Sequence, residues 1–387
     1  MKTPSLITFA TIAVASMNVL ANVIPTAVVA TDKRSSPAGE LFRRLNADEN
    51  EILDRRQGNS TGAASDLPLP VPAPVSPPVK RGEEKGKDYQ DILWLNFALF
   101  LEYFENAFYE RGLSRYNEEA FRRAGYPDWV RGRYLQIAEH ERYHKLFIES
   151  AITASGSPHV GPCRYEFYDN DVRAFVDASA AIETIATGAY TGLLQFFNNR
   201  AYVTAGASIL AVEARQAAWI NSAVRKLNPW NAAFETPLTP NAVLTLLSNF
   251  FNFENCPKEN HALLPPGVHP YPRLAIAPIL VPGQPAEISF PYPQIGGGER
   301  LYVAFLSGAE TIFAPLQEKE DGKDKDNKKR YFVEIPRDLA GRGTVYVIVV
   351  RGRENIGEVR LEDEFIVAGP GITMFPFDAW GKPINGW

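Results

Sequence analysis

Cysteine is scarce in this chain, with two residues among 387. So few cysteines exclude a small fold built on a disulfide framework and a cysteine-rich zinc or iron–sulfur site. No long basic stripe is present and the net charge is −5, which argues against nucleic acid as a partner. Apart from one apolar run at the N-terminus, no stretch is long enough to suggest a membrane span, so a multi-span membrane protein is excluded. The length and the 45% hydrophobic content predict two domains with sizeable cores, plus extra segments.

The N-terminal segment, residues 1–21, is typical of a secretory signal peptide. Lys2 is its only charged residue, residues 6–20 are mostly small and apolar, and residues 19–21 fit a cleavage site. An uncleaved anchor helix is the alternative, but Asn18 and Asn22 interrupt the run. We therefore expect a secreted, extracellular protein that can associate with the cell wall and has no membrane attachment after cleavage.

Residues 22–87 predict a pro-segment and linker without a core of their own. Dibasic pairs recur along this stretch, and such pairs can be processing sites in a secretory pathway. Asn59-Ser60-Thr61 is a sequon, so we expect glycosylation at Asn59. Residues 67–79 carry a proline at nearly every second position, which predicts a stiff, extended linker.

Residues 88–257 carry four long helical patterns and a shorter fifth one. Acidic residues near Asp88 and Pro127 mark two of the helix starts, and Gly112 is expected to end the first helix. The connection between the second and third helices is longer than the others. These features predict a ferritin-like four-helix bundle.

The composition changes after the helices, where prolines and glycines separate short β-branched and aromatic runs. Seven candidate strands fall within residues 270–370, which predicts an immunoglobulin-like β-sandwich, and residues 371–387 form a C-terminal tail. The expected fold class is therefore α+β and multidomain, with the helical bundle first. No site chemistry is visible in the β-rich half.

Three glutamates stand almost alone in apolar helical segments: Glu102, Glu183 and Glu213. A helix that is apolar all round is buried, and a lone buried carboxylate is costly unless it is paired or bound to metal. Three such acids on three helices of one bundle predict a shared cation.

The spacing of further polar residues completes a repeated pattern. Glu141 and His144 lie three residues apart on the second helix, and Glu213 and Gln216 have the same spacing on the fourth. A di-iron carboxylate bundle takes one glutamate from each of two helices and Glu-x-x-His from each of the other two. The pattern predicts a two-fold site for two iron or manganese ions, with the ligands Glu102, Glu141, His144, Glu183, Glu213 and Gln216.

Two tyrosines repeat with the same symmetry. Tyr109 follows Glu102 by seven residues, and Tyr190 follows Glu183 by seven. Such rings are commonly part of the core, but their repeated placement favours hydrogen bonds to the ligands.

Three segments carry a resemblance to a known family: Leu101-Glu102-Tyr103-Phe104-Glu105-Asn106-Ala107-Phe108-Tyr109, Ala138-Glu139-His140-Glu141-Arg142-Tyr143-His144 and Val212-Glu213-Ala214-Arg215-Gln216-Ala217-Ala218-Trp219. Over residues 88–257 the chain resembles the fungal and plant ferritin-like proteins associated with stress and desiccation, and the second segment is also similar to that of rubrerythrins. The signal peptide and the β-rich C-terminal half look like those of the secreted fungal members. The resemblance implies a ferritin-like fold and di-iron binding, but no particular activity.

Gln216 departs from the motif, which has histidine at this position. An amide oxygen is a poorer ligand for iron than an imidazole. The site can then hold two metals unequally, hold one, or be a relic that holds none.

Two classes of function follow from these alternatives. The first is a secreted di-iron or di-manganese protein that handles metal and oxygen and is associated with stress response, an oxidoreductase if it is an enzyme. The second is a non-catalytic scaffold without metal, whose β-domain binds a cell-wall polymer or a protein. The intact ligands favour the first, and Gln216 favours the second.

Glu105 and His140 lie close in sequence to the expected ligands. Glu105, one helical turn from Glu102, could replace it as a ligand, but we expect it at the rim, paired with Arg111 or Arg142. His140 is expected on the surface.

The two cysteines, Cys163 and Cys256, both fall in predicted loops. In an oxidising compartment two such residues usually pair, so we expect a disulfide between them. Two free thiols are the alternative.

Overall fold

The computed structural model describes residues 85–277, 280–291, 299–318, 331–352 and 361–384, which lie within one compact unit, Pro70–Trp387. The predicted signal peptide, the dibasic pairs and the sequon at Asn59 lie outside the described residues. The described chain consists of a helical region followed by a β-sheet region.

The helical region contains four long helices and three short ones. They are α1 (Lys85–Arg115), α2 (Glu118–Arg123), α3 (Asp128–Ala154), α4 (Val172–Leu193), α5 (Arg200–Trp219), α6 (Pro240–Leu247) and α7 (Asn260–Leu263). The helix α5 continues into a π-helical turn, Ile220–Val224. Helix α1 packs chiefly against α3, and α4 packs chiefly against α5, so the bundle is built from two helix pairs. Within the described ranges, no helix has the length and hydropathy needed to cross a membrane.

Side-chain caps fix where several helices begin. The Asp171 carboxylate accepts a hydrogen bond from the backbone N–H of Ala174 at 2.8 Å, at the start of α4. Asn199 and Thr239 cap α5 and α6 in the same way. Each cap satisfies a backbone donor that the first helical turn leaves without an intrahelical partner.

The first helix is longer than the sequence predicts. It begins at Lys85, inside the segment expected to be linker, and it continues through Gly112 to Arg115. A Cβ at Gly112 would lie 2.2 Å from Cε2 of Phe175 on α4. Gly112 therefore allows close packing between two helices and does not end the helix.

Gly192 lies where α4 meets the backbone of the segment before α6. A Cβ at this position would lie 2.0 Å from the carbonyl oxygen of Leu238. Because a backbone carbonyl cannot rotate away, Gly192→Ala is expected to lower the free energy of unfolding by about 2–4 kcal/mol in urea titrations. Gly132→Ala is the matched control, since Gly132 is exposed on α3 with nothing within 4 Å of the added Cβ. It should raise stability by about 0.5–1 kcal/mol, and equal stability of the two variants would contradict the close approach.

The β-sheet region contains seven strands. They are β1 (Ala275–Ile276), β2 (Pro285–Ser289), β3 (Arg300–Ser307), β4 (Glu310–Glu318), β5 (Tyr331–Glu334), β6 (Gly343–Gly352) and β7 (Ile366–Phe375). They form one antiparallel sheet in the order β1-β2-β5-β4-β3-β6-β7. The strand β7 crosses residue 370, so it includes part of the segment expected to be a tail.

The two edges of this sheet approach each other. The N–H of Gly369 donates to the carbonyl of Pro272 at 2.9 Å, and Gly371 packs against the Ile276 side chain. The sheet is therefore nearly closed, like a barrel, and the immunoglobulin-like sandwich expected from the strand count is not confirmed. The strand count follows from local patterning, whereas the pairing order depends on contacts between distant residues.

The sheet packs directly against the helices. Tyr346 of β6 is fully buried and belongs to the same apolar core as the helices. Its hydroxyl donates to the carbonyl oxygen of Thr184 on α4 at 3.3 Å. At the same junction the N–H of Gly308 donates to the Thr236 hydroxyl at 2.7 Å. The sheet therefore supports α4 next to Glu183.

The predicted disulfide between Cys163 and Cys256 is present. It joins the connection after α3 to the segment after α6, and both residues are buried. Beside it, the N–H of Arg164 donates to the carbonyl of Asn255 at 3.2 Å. The bridge thus fixes the long connection between the two helix pairs against the end of the helical region.

Candidate metal centre

The four long helices bring the six predicted ligands together in the middle of the bundle. These are Glu102 of α1, Glu141 and His144 of α3, Glu183 of α4, and Glu213 and Gln216 of α5. All four glutamates are 0% exposed, and Gln216 is 5% exposed. Such burial in an apolar bundle leaves these carboxylates dependent on a partner other than water.

His144 lies at the centre of one group of ligand atoms. Its Nδ1 is 3.1 Å from Oε2 of Glu141, 3.0 Å from Oε1 of Glu213 and 3.7 Å from Oε2 of Glu102. One ring nitrogen carries one proton at most, so it cannot satisfy three carboxylates. The ligand atoms of Glu102, His144 and Glu213 lie within 4.8 Å of one another, and we refer to this group as the first position.

A second group of ligand atoms lies beside the first. It contains Glu141, Glu183 and Glu213, again within 4.8 Å of one another, and we refer to it as the second position. Glu213 belongs to both positions, as a bridging carboxylate does. Gln216, also on α5, donates from Nε2 to Oε1 of Glu141 at 2.9 Å.

Two tyrosines connect the halves of the bundle crosswise. Tyr109 of α1 donates its hydroxyl hydrogen bond to Oε1 of Glu183 on α4, and Tyr190 of α4 donates to Oε1 of Glu102 on α1. Each tyrosine therefore holds the acid of the opposite helix pair. These two equivalent hydrogen bonds show that the two helix pairs are related by an internal two-fold symmetry. They also fix the orientation of both carboxylates.

Several buried acceptor atoms have no hydrogen-bond partner among the described residues. They are Oε1 of Gln216 and the Oε2 atoms of Glu102, Glu105, Glu183 and Glu213. A buried acceptor without a donor is costly, and native structures contain few of them. Cations bound within the cluster would satisfy such atoms, and a set of carboxylate oxygens with one imidazole suits iron or manganese.

Burial dominates the electrostatics of the cluster. It raises the pKa of Glu102, Glu105 and Glu183 well above the ordinary value, and it raises that of Glu141 to about 7, with repulsion from Glu213 adding to the effect. Burial lowers the pKa of His144, but the surrounding carboxylates outweigh it, so the pKa of His144 is well above its usual range. The cluster therefore holds protons in the absence of a cation, and it would have to release them for a metal to bind.

Glu105 belongs to the cluster, contrary to the expectation that it lies at the rim. It is 3% exposed, and its ligand atoms lie within 4.8 Å of those of Glu102 and Glu141. Arg111 pairs with Asp169, and Arg142 pairs with Glu139 at 2.6 Å. The three-residue spacing between Glu102 and Glu105 is the sequence signal that places Glu105 beside Glu102 on α1 and so near the cluster.

His140 is exposed, as the sequence predicts, but it lies near the site. Burial and the neighbouring His144 lower its pKa, against the opposing effects of Glu213 and Gln216. It therefore lies at the outer edge of the cluster, on the side of α3 and α5.

Comparison with known proteins agrees with this architecture. Residues 90–226 match the family model described as Ferritin-like domain. The chain is also similar to Protein rds1 of Schizosaccharomyces pombe, with 24% identity over 271 residues. That match covers 59% of this chain and 65% of the relative, so the chain spans less than two thirds of the relative's length. The residues matched by the family model contain all the side chains of the candidate site, so the region that holds the site is similar to ferritin-like domains.

Proposed function

We propose that the bundle holds a dinuclear centre for two iron or two manganese ions. The observation that carries this proposal is the sharing of Glu213 between two groups of buried ligand atoms. Glu102 and His144 would hold one ion, Glu183 and Gln216 the other, and Glu141 and Glu213 would bridge them. The unpartnered oxygens of these side chains support the same assignment.

Iron or manganese held by these residues would supply redox chemistry with oxygen, and a protein that turned over in this way would be an oxidoreductase. The contribution of the chain is to hold and orient its ligands. Tyr109 and Tyr190 hold Glu183 and Glu102 in place. Phe108 and Phe175 stack at 5.0 Å beside Tyr109, so an aromatic wall excludes water on this side.

We also propose that the chain is secreted and takes part in a stress response. The disulfide between Cys163 and Cys256 supports secretion, because such bonds persist in oxidising compartments. The apolar N-terminal segment and the sequon at Asn59 support it as well. The stress association rests on the family resemblance.

Metal loading of the purified protein tests the dinuclear centre. After anaerobic incubation with ferrous iron or manganese and removal of the excess, elemental analysis should find two ions per chain. Glu141→Ala should reduce this to one or fewer, because it removes a bridging ligand, and Gln216→His should raise the affinity by supplying an imidazole. Glu139→Ala is the matched control on the same helix, since Glu139 is exposed and pairs with Arg142. A wild-type protein with fewer than two ions would contradict the proposal.

A metal-free scaffold is the second candidate. The hydrogen bond from Gln216 to Oε1 of Glu141 favours it, because this bond occupies an oxygen that a second ion would use. In that case the wild type binds no metal, and the β-region carries the function by binding a cell-wall polymer or a protein. Glu183→Gln would then be neutral or stabilising, since it removes a buried charge at constant shape.

A further inference from the structure

A second histidine lies one helical turn from His144. The residues His140-Glu141-Arg142-Tyr143-His144 are consecutive on α3, which is a continuous helix over Asp128–Ala154. Two histidines four residues apart on a helix share one face, with about 5–6 Å between their Cβ atoms, so both imidazoles can bind one cation. His140 is exposed, and the proposed dinuclear centre does not use it.

The two ring nitrogens of His144 have different surroundings. Its Nδ1 lies 3.1 Å from Oε2 of Glu141 and 3.0 Å from Oε1 of Glu213. Because the two nitrogens of an imidazole point in different directions, Nε2 points away from these carboxylates. The side chain of His144 is 12% exposed, whereas those of Glu141 and Glu213 are 0% exposed. Its Nε2 is therefore directed out of the cluster, on the helix face that carries His140.

The contacts of Nδ1 are typical of a histidine that binds metal through its other nitrogen. Such a histidine usually donates the N–H of the free ring nitrogen to a carboxylate, which fixes the ring and increases its basicity. Glu141 and Glu213 place carboxylate oxygens at Nδ1 of His144. A cation at Nε2 would replace the proton on that nitrogen and leave the hydrogen bond at Nδ1 in place.

The geometry of Glu141 favours a binding site over a hydrolytic one. In zinc proteases with the same histidine spacing, the glutamate after the first histidine acts as a general base. Here Oε1 of Glu141 accepts a hydrogen bond from Nε2 of Gln216 at 2.9 Å, and Oε2 lies beside Nδ1 of His144. Both oxygens thus face the interior of the bundle, and the residue is 0% exposed. Glu141 therefore cannot activate a water molecule on the outer face of α3.

We propose that His140 and Nε2 of His144 form an outer metal site on α3, distinct from the two positions of the buried cluster. Imidazole nitrogens suit zinc, copper and nickel, whereas carboxylate oxygens suit manganese, so the outer site should select a different class of cation from the cluster. The site does not require the dinuclear centre. An ion at the first position would take Nδ1 of the same ring, so the test starts from protein without metal.

Copper(II) binding to the full chain tests this pair, because pulsed electron paramagnetic resonance counts the imidazoles that bind the ion. The protein is freed of metal with a chelator, and less than one equivalent of copper is then added. The wild type is expected to show two bound imidazoles, and His140→Ala one at most. Loss of a mere outer partner of a ligand already weakens metal binding by about tenfold or more, so His140→Ala should weaken copper binding at least as much.

His159→Ala is the matched control. His159 is also exposed, but it lies in the connection after α3, away from the pair in sequence. This variant should keep the copper affinity and both imidazoles of the wild type. Circular dichroism should show that His140→Ala is folded, because His140 is exposed and alanine is the best helix former.

The outcomes separate the outer site from the dinuclear centre. One imidazole in the wild type, or two in His140→Ala, would overturn the outer site. Loss of a manganese ion from His140→Ala would place His140 in the buried centre and overturn the outer site as well. If two imidazoles bind copper in a way that depends on His140, but the wild type binds no manganese, the outer site stands and the dinuclear centre fails.

Discussion

Replacing Cys163 and Cys256 together by serine is expected to lower the free energy of unfolding by about 4–5 kcal/mol. The two residues are 93 positions apart, so the disulfide closes a long loop in the unfolded chain. In the chain-entropy model, a loop of this length restricts the unfolded state strongly and thereby stabilises the folded one. Urea titration of oxidised wild type and of the double variant measures the difference.

The same variant separates stability from site geometry. The closed loop contains α4 and α5 and so carries Glu183, Glu213 and Gln216, whereas the two cysteines lie in connecting segments outside these helices. Under conditions where the double-serine protein remains folded, it should bind metal as the wild type does. Wild-type protein reduced with dithiothreitol should match the variant in urea. Unfolding of oxidised and reduced wild type at the same urea concentration would contradict a stabilising role for the bridge.

The helices were largely predictable because their signals are local. Apolar runs mark their lengths, and Asp171 and Thr239 mark the starts of α4 and α6 as side-chain caps. The end of α1 was wrongly predicted at Gly112 for a non-local reason. Its packing partner Phe175 lies on another helix, and no local pattern reveals that contact.

The six candidate ligands could be proposed from spacing, because one residue per turn on a buried face identifies which side chains converge. Glu105 was misplaced, because spacing does not show which surface of α1 the other helices cover. The tyrosines illustrate the same limit. The sequence shows that Tyr109 follows Glu102 at a fixed interval, but it does not show that Tyr109 hydrogen-bonds Glu183 of the other pair.

The β-region was predictable only as a set of strands. Continuous runs of β-branched and aromatic residues in β3 and β6 indicate buried strands, and the pairing of these strands buries Val303 and Val349 completely. The order of the strands and the approach of β7 to the segment before β1 depend on contacts between distant residues. The near closure of the sheet therefore appears only in the structure.

The stability of the metal-free protein is expected to fall steeply as the pH rises from 5 to 8. The pKa of Glu141 is raised to about 7, and burial also raises the pKa values of Glu102, Glu105 and Glu183 well above the ordinary value. An unfolded glutamate releases its proton near pH ~4.3, so above that pH the folded state binds more protons than the unfolded state. The free energy of unfolding is then greatest at acidic pH, and it decreases as the pH approaches the pKa values that these glutamates have in the folded state. Glu141 alone should account for roughly 2 kcal/mol between pH 5 and 7.

His144 changes the stability of the metal-free protein with pH in the same direction as the glutamates. Its pKa is raised in the folded state, so its contribution is present at low pH and is lost as the pH rises through the folded value. Metal binding has the opposite dependence, because it requires deprotonated ligands and grows stronger as the pH rises. The difference in melting temperature between manganese-loaded and metal-free protein should therefore widen from pH 5 to pH 8.

Glu183→Gln tests whether the buried carboxyls lower the stability of the metal-free protein and also bind metal. It removes one of the buried carboxyls and keeps the shape of the side chain, so the metal-free variant should be more stable than the metal-free wild type at pH 8. The same change removes a ligand, so manganese should raise its melting temperature less than that of the wild type. Glu139→Gln on the exposed face should follow the wild type in both states. If the wild type purified without added metal is equally stable at pH 5 and pH 8, its buried carboxyls do not hold extra protons. The cluster would then be neutralised by a cation retained through purification, and elemental analysis of the same sample would identify it.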